Sequence, residues 1–252
     1  MRMNGRYGDL AGRRVVITGA GRGLGRILAS AFDENGARLG LVARSAGALQ
    51  DVADGLSGEA LVLPGDVRDA EFNEAVAKAM VDRFGGVDVW ICNAAVSPEV
   101  SPVVEMEPES WRQIVDVNLT GAFLGARAGA AVMGTGGRII VTGSVLGSRP
   151  RAGLSAYAAS KSGIEALVKA LAQEVGPRAI TANAVALGWF DTGLGAHWHR
   201  DAELEGDIVR HTALGRWGHS GDLAGAFLFL ASEASAYVTG TTLTVDGGYS
   251  LM

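Results

Sequence analysis

The amino-acid sequence predicts an α/β fold, a single domain in which helices cover both faces of a doubly wound parallel sheet of seven strands. Seven short apolar runs recur along the chain, and longer segments with helical periodicity separate them. Most of the runs are continuously apolar, as expected for strands buried on both faces of a parallel sheet. The length of 252 residues fits one large α/β domain, and we expect residues 1–252 to form it.

The predicted strands lie, in order, at residues 14–18, 38–42, 60–63, 87–91, 138–142, 181–186 and 242–245. The predicted helices lie at residues 23–35, 69–84, 108–132, 156–175 and 221–231. Right-handed crossovers between parallel strands place these helices on both faces of the sheet. Residues 189–212 depart from the pattern, because they are polar and follow the end of a strand. Ligands of such sheets bind beyond the carboxyl ends of the strands, so we expect a substrate loop here.

The composition argues against several classes of protein. The net charge of -5 argues against a nucleic-acid partner, since phosphate contacts need a basic surface. The only cysteine, Cys92, excludes an intrachain disulfide and a zinc site with several cysteines. No apolar run reaches the roughly 18 residues that a membrane span needs, and residues 1–10 lack the apolar core of a secretion signal. We therefore expect a cytoplasmic protein that binds neither nucleic acid nor a membrane.

A glycine-rich turn joins the first predicted strand to the first predicted helix. Residues 18–25 read Thr-Gly-Ala-Gly-Arg-Gly-Leu-Gly, in a chain with 37 glycines. Glycine lets backbone amides approach a pyrophosphate closely, and the N-terminus of the following helix adds unpaired N–H groups and a favourable dipole. The turn therefore predicts a dinucleotide site, whose first candidate residues are Gly19, Gly21, Arg22, Gly23 and Leu24.

The end of the second predicted strand indicates which dinucleotide is bound. An acidic residue that binds the ribose hydroxyls of NAD is typical of this place. Here Ala43 fills the position and Arg44 follows it. A guanidinium can bind the 2′-phosphate of NADP, which a carboxylate would repel, and Arg22 could face the same phosphate. These residues favour NADP(H) over NAD(H), with the alternative that Arg44 is solvated or stacks on the adenine without discriminating.

A tyrosine and a lysine at Tyr-x3-Lys spacing begin the fourth predicted helix. Tyr157 and Lys161 lie one turn apart on one face of that helix. A free tyrosine has a pKa of about 10, and a nearby ammonium group favours the phenolate and lowers that pKa. The pair could therefore exchange a proton with a carbonyl or alcohol oxygen. Ser144 at the end of the fifth strand and Asn118 in a helical pattern accompany them.

In this order, the motifs resemble the short, single-domain branch of the short-chain dehydrogenase/reductase family, which has a Rossmann fold. The resemblance spans residues 10–248 and includes the end motif in residues 229–248. It implies that Tyr157 is the general acid in ketone reduction and the base in alcohol oxidation. It also implies that Lys161 lowers the pKa of Tyr157 and holds the nicotinamide ribose, that Ser144 binds the substrate oxygen, and that Asn118 holds a water of a proton relay.

The resemblance implies further cofactor contacts near the adenine, the adenosine and the nicotinamide, at Asp66, Val67, Asn93, Ala94, Ala95, Gly188, Phe190 and Thr192. Three residues near this path depart from the usual family pattern, namely Cys92, Ala95 and Leu187. The candidate substrate contacts are Val96, Val145, Leu154, Trp189, His197 and Trp198. Although His197 and His199 alternate as metal ligands can, this chemistry needs no metal, and we expect none.

The sequence thus predicts an NADPH-dependent carbonyl reductase or alcohol dehydrogenase that acts on a small ketone or secondary alcohol. Two alternatives of similar chemistry are a 3-oxoacyl-[acyl-carrier-protein] reductase, which would need a basic docking patch, and a sugar or polyol dehydrogenase. A dinucleotide-binding regulator without activity is an alternative of a different class, and it would be expected to lack one of the four candidate catalytic residues. The family resemblance also implies a homotetramer.

Overall fold

The computed structural model describes residues 7–96, 100–192 and 202–252, in which seven strands form one parallel sheet. The strands are β1 (Arg14–Thr18), β2 (Arg38–Ala43), β3 (Ala60–Pro64), β4 (Val89–Cys92), β5 (Arg138–Ser144), β6 (Thr181–Leu187) and β7 (Thr242–Val245). Their order across the sheet is β3-β2-β1-β4-β5-β6-β7, and all neighbours are parallel. This confirms the predicted fold class.

Eight α-helices of the described residues surround the sheet. They are α1 (Gly23–Glu34), α2 (Ala46–Ala53), α3 (Ala70–Phe84), α4 (Pro108–Val115), α5 (Gly121–Val132), α6 (Ser155–Val175), α7 (Ala202–Arg210) and α8 (Ser220–Ala231). Apolar side chains of α1, α2 and α8 form the core on one face of the sheet, and those of α3, α5 and α6 form the core on the other. Among these residues, no helix has both the length and the apolar character that a membrane crossing needs.

The strand order creates a crevice at the centre of the sheet. β1 pairs with β2 on one side and with β4 on the other, so the crossovers after β1 and β4 leave in opposite directions. The Thr18 hydroxyl joins the two strand ends by accepting hydrogen bonds from the backbone N–H groups of Asn93 at 2.9 Å and Ala94 at 3.0 Å. Ligand binding is therefore expected at the carboxyl ends of β1 and β4.

Three local elements differ from the sequence-based expectations. α2 was not predicted because it has only eight residues, and its apolar face consists of Leu49 and Val52. A π-helical turn at Asp116–Thr120 interrupts the predicted helix at residues 108–132. Residues 189–212, which were expected to form a loop, include α7. The sequence of α7 is largely polar, although its Ile208 is fully buried.

Candidate functional site

A cavity of about 520 Å³ lies at the carboxyl ends of the central strands, within the range of volumes typical of ligand sites. The glycine-rich turn borders one end, and the ends of β5 and β6 and the start of α6 border the other. The structure brings every predicted cofactor residue to its wall: Gly19, Gly21, Arg22, Gly23, Leu24, Arg44, Asp66, Val67, Asn93, Ala94, Ala95, Tyr157, Lys161, Gly188, Phe190 and Thr192.

The glycine-rich turn has a backbone that tolerates few other residues. Gly19 has φ of +70° and Gly23 has φ of +53°, in the left-handed region that favours glycine. A Cβ at Gly25 would lie 2.1 Å from the carbonyl oxygen of Gly19, which leaves no room for a side chain. The turn can therefore bring the N-terminus of α1 directly to the cavity wall, where its free N–H groups favour an anion.

Two arginines border the cavity near this turn. Arg22 precedes the first residue of α1, and Arg44 follows β2. Neither side chain forms a hydrogen bond or ion pair with another described residue, so both guanidinium groups can receive an anion. Asp66, in contrast, accepts two-pronged hydrogen bonds from Arg68, with 2.7 Å between Oδ2 and Nη2. The hydrogen bond from Arg68 is the main reason why the pKa of Asp66 lies below its ordinary value.

A chain of hydrogen bonds connects the two ends of the cavity across three strands. The side-chain amide of Asn93 donates to the carbonyl of Thr18 at 2.9 Å, and its oxygen accepts from the Thr142 hydroxyl at 3.3 Å. The carbonyl of Thr142 then accepts from the Lys161 amine at 2.8 Å. Asn93 therefore couples the turn after β1 to the lysine on α6.

Ser144, Tyr157 and Lys161 meet at the other end of the cavity. Ser144 ends β5, and Tyr157 lies in the first turn of α6. The Lys161 amine lies 5.6 Å from the centre of the Tyr157 ring. A hydrogen bond links the side chains of Ser144 and Tyr157, and Ser144 Oγ also accepts from the Leu146 backbone at 3.2 Å. The site thus places two hydroxyls and an amine on one wall.

Burial dominates the protonation of this pair. It raises the pKa of Tyr157 to about 12, although the hydrogen bond with Ser144 acts in the opposite direction. Burial also lowers the pKa of Lys161 to about 8, because the charged amine loses water. The lowering of the Tyr157 pKa by Lys161 stays a prediction, and in the nucleotide-free protein burial sets the direction of the net shift. The loss of solvation exceeds any stabilisation of the phenolate by Lys161.

Asn118 does not border the cavity, unlike the other three candidate catalytic residues. Its side chain is buried and is satisfied by the protein, since Oδ1 accepts from the Val96 N–H at 2.8 Å. Its Nδ2 donates to the carbonyl of Val96 at 3.0 Å and to the hydroxyl of Ser160 at 3.2 Å. The Asn118 side chain thus holds the segment after β4 against α6, and both of its N–H groups are donated within the protein.

The candidate substrate residues Val96, Val145, Leu154 and Trp189 border the cavity. His197 and Trp198 lie outside the described residues. The sequence analysis missed Leu146 and Leu223, which also border it. Leu146 lies two residues after Ser144, and that closeness could have indicated it, whereas no local pattern indicates Leu223. No group of three potential metal-ligating side chains occurs in the described part of the chain.

Comparisons with known proteins agree with this fold and place the chain in one family. The family model described as Enoyl-(Acyl carrier protein) reductase matches residues 19–250. A 3-oxoacyl-[acyl-carrier-protein] reductase of Vibrio cholerae is 36% identical over 242 residues, which cover 95% of this chain and 98% of the relative. A 3beta-hydroxysteroid dehydrogenase 1 of Eggerthella lenta is 38% identical over 252 residues, 97% of this chain and 96% of the relative.

A solved structure shows the same likeness in three dimensions. A short-chain type dehydrogenase/reductase from Mycobacterium marinum superimposes with a TM-score of 0.88 and 36% identity, covering 96% of this chain and 97% of that one. The fold and these relatives define an oxidoreductase. The chain belongs to the short-chain dehydrogenase/reductase family.

Proposed function

We propose that the protein is an NADP(H)-dependent oxidoreductase that transfers a hydride between the nicotinamide and a ketone or secondary alcohol. The observation that carries this proposal is a single cavity with unpaired arginines and a glycine-rich turn at one end and Ser144, Tyr157 and Lys161 at the other. The first end suits a dinucleotide phosphate, and the second end suits proton transfer to an oxygen.

The cofactor end fits a dinucleotide with a 2′-phosphate. The glycine-rich turn offers backbone N–H groups at the start of α1, where a pyrophosphate is favoured. Ala43 occupies the position where a carboxylate would indicate NAD, and Arg44 follows it. Arg22 and Arg44 border this end of the cavity, and neither forms a hydrogen bond or ion pair with another described residue. When bound, the nicotinamide supplies the hydride in reduction and accepts it in oxidation. Val67, Asn93, Ala94, Ala95, Gly188, Phe190 and Thr192 would line its path.

Tyr157 is the proton donor in the proposed reduction. Its raised pKa keeps the phenol protonated at neutral pH, which is the form that a general acid needs. The Ser144 hydroxyl next to it would donate a hydrogen bond to the same carbonyl oxygen and stabilise the negative charge that develops there. Lys161 then returns a proton towards Tyr157, because a pKa of about 8 lets the amine titrate close to neutral pH.

We assign the water relay through Asn118 to its backbone. The side chain of Asn118 is committed to Val96 and Ser160, which it holds together, so the backbone carbonyl of Asn118 is the proposed acceptor for a water near Lys161. The π-helical turn at Asp116–Thr120 supports this assignment, since such turns alter the usual pattern of carbonyl acceptors and occur frequently at functional sites.

Substitution of the tyrosine tests the proposed function. Tyr157→Phe removes only the hydroxyl, so we expect loss of NADPH-dependent ketone reduction with NADPH affinity retained. The measurement combines NADPH absorbance during turnover with NADPH binding by titration. Turnover equal to that of the wild type would contradict the assignment of Tyr157 as the acid.

A 3-oxoacyl-[acyl-carrier-protein] reductase is the second candidate, favoured by the name of the Vibrio cholerae relative. It has the same chemistry, and only the delivery of the substrate distinguishes it. We further propose that the protein acts on a small-molecule substrate and is a cytoplasmic homotetramer. Light scattering would test the homotetramer directly.

A further inference from the structure

The described wall around the substrate end of the cavity is apolar. Beyond Ser144, Tyr157 and Lys161 it consists of Val96, Val145, Leu146, Leu154 and Trp189. Of the charged side chains that border the described cavity, Arg22, Arg44 and Asp66 are on the segments of the nucleotide end. Lys161 lies at the substrate end, but it is buried and its amine already donates a hydrogen bond to the carbonyl of Thr142. A charged substituent on the substrate would therefore lose water here without gaining a partner among the described residues.

Trp189 forms a rigid part of this wall. Its ring meets Trp217 edge-to-face at 5.9 Å and Tyr249 at 6.1 Å between ring centres. The guanidinium of Arg151 lies 5.8 Å from the centre of the Trp189 ring. Trp217 and Tyr249 are themselves buried. A side chain held from three directions keeps one orientation, so Trp189 offers a preformed apolar surface.

The two arginines behind this wall are already engaged by the protein. Arg149 donates a hydrogen bond to the carbonyl of Tyr249, and its guanidinium lies 4.9 Å from the centre of that ring. Arg151 donates to a carboxylate oxygen of Asp207 on α7 at 3.3 Å. An anionic substrate or an acidic carrier protein would therefore have to share either guanidinium with the partner that it already has.

We propose that the substrate is a free, uncharged ketone, or its alcohol, whose apolar substituent packs against Trp189. This inference rests on the proposed function and narrows its substrate class. It places acids, phosphorylated sugars and thioesters delivered on an acidic carrier outside the preferred substrates. Trp189 is the residue that determines the preference for bulky apolar ketones.

Matched substrates test the exclusion of charge. Ethyl 4-oxocyclohexanecarboxylate and 4-oxocyclohexanecarboxylate contain the same ketone, but the ester is neutral and the carboxylate carries a negative charge. We expect kcat/KM with NADPH to be about 100-fold higher for the ester, since the apolar wall formed by the described residues offers the carboxylate no partner. Equal kcat/KM values would overturn the inference.

The carrier is tested with one acyl group on two thiols. The 3-oxobutanoyl thioesters of N-acetylcysteamine and of an acyl carrier protein have the same reacting ketone. We expect the carrier to give no increase in kcat/KM. An increase of about tenfold or more would show a docking gain and overturn the inference in favour of the carrier-dependent reductase.

The role of Trp189 is tested with ketones of different size. 2-Decalone adds a second ring to cyclohexanone, and we expect it to have a kcat/KM at least about tenfold higher in the wild type. Trp189→Ala should lower the ratio of kcat/KM for 2-decalone to kcat/KM for cyclohexanone to near one. It should do so by raising KM for 2-decalone more than KM for cyclohexanone. The matched control is Trp111→Ala, because Trp111 on α4 is 41% exposed and does not border the cavity. A ratio that Trp189→Ala leaves unchanged contradicts the assignment.

The outcomes separate this inference from the function on which it rests. Turnover of cyclohexanone that depends on Tyr157 upholds the proposed function, whatever the other ratios are. Failure of the charge, carrier or size comparison then overturns only the substrate class. Absence of turnover with every ketone overturns both.

Discussion

Lys161 should make the stability of the nucleotide-free protein depend on pH in a way that reports its burial. Its pKa is lowered from 10.5 to about 8 because the amine is buried, with a hydrogen bond to the carbonyl of Thr142. Between these two values the unfolded chain binds more protons than the folded protein, so the free energy of unfolding rises with pH. The shift corresponds to a destabilisation of about 3 kcal/mol at low pH, of which about 2 kcal/mol disappears between about pH 7 and pH 9.5.

The change that isolates this effect is Lys161→Met, with Lys169→Met as the matched control. Lys169 lies on the same helix but is exposed. Urea unfolding at a fixed protein concentration, at several pH values, gives the free energy for each protein. Between about pH 7 and pH 9.5 we expect the change in the free energy of unfolding of the wild type and of Lys169→Met to exceed that of Lys161→Met by about 2 kcal/mol, because the raised pKa values of Cys92 and Tyr157 lower the stability of all three proteins alike over this range. An equal change in Lys161→Met would refute the lowered pKa of Lys161.

Three further predictions concern the cofactor and the proton. Arg44→Asp should lower the ratio of kcat/KM for NADPH to kcat/KM for NADH by about 10- to 100-fold, because an attraction to the 2′-phosphate becomes a repulsion. A wild type that prefers NADH would contradict the role of Arg44. Gly25→Ala should weaken nucleotide binding, measured by titration, at least about tenfold, because its methyl group would lie 2.1 Å from the carbonyl oxygen of Gly19. The control Gly47→Ala, whose methyl group would meet open space, should bind the nucleotide as the wild type does. The kcat/KM of alcohol oxidation should rise through pH 9, since burial raises the pKa of Tyr157 and oxidation needs the phenolate, and a maximum below pH 8 would argue against Tyr157 as the base.

The features of the site that could be predicted from the sequence are each determined by a short segment of the chain. The glycine-rich turn depends on residues 18–25, and the strand and helix around it follow from local periodicity. Tyr157 and Lys161 share a helix face by spacing alone, and the structure places both on the cavity wall. Such positions are predictable because neighbours in sequence determine them.

The parts that were missed depend on packing between distant segments. The pKa of Tyr157 follows from how completely α6 and the strand ends bury it, which no spacing reveals. The side chain of Asn118 binds Val96 and Ser160, and these contacts join segments that are distant along the chain. Trp189 is held by Trp217 and Tyr249, which lie far along the chain, and no pattern in the sequence joins the three.

The hydrogen bonds from Thr18 through Asn93 and Thr142 to Lys161 have a consequence for how this enzyme can be changed. Thr18, Asn93 and Thr142 belong to or follow β1, β4 and β5, and the backbone of the sheet sets the spacing of these strands at about 4.8 Å. The separation between the glycine-rich turn and the Lys161 amine is therefore a property of the sheet and is independent of the rim. Residues 145–154 and Trp189 can accept new side chains while Thr18, Asn93, Thr142 and Lys161 keep their distances. Engineering of substrate scope should begin at this rim and leave Asn93 and Thr142 untouched.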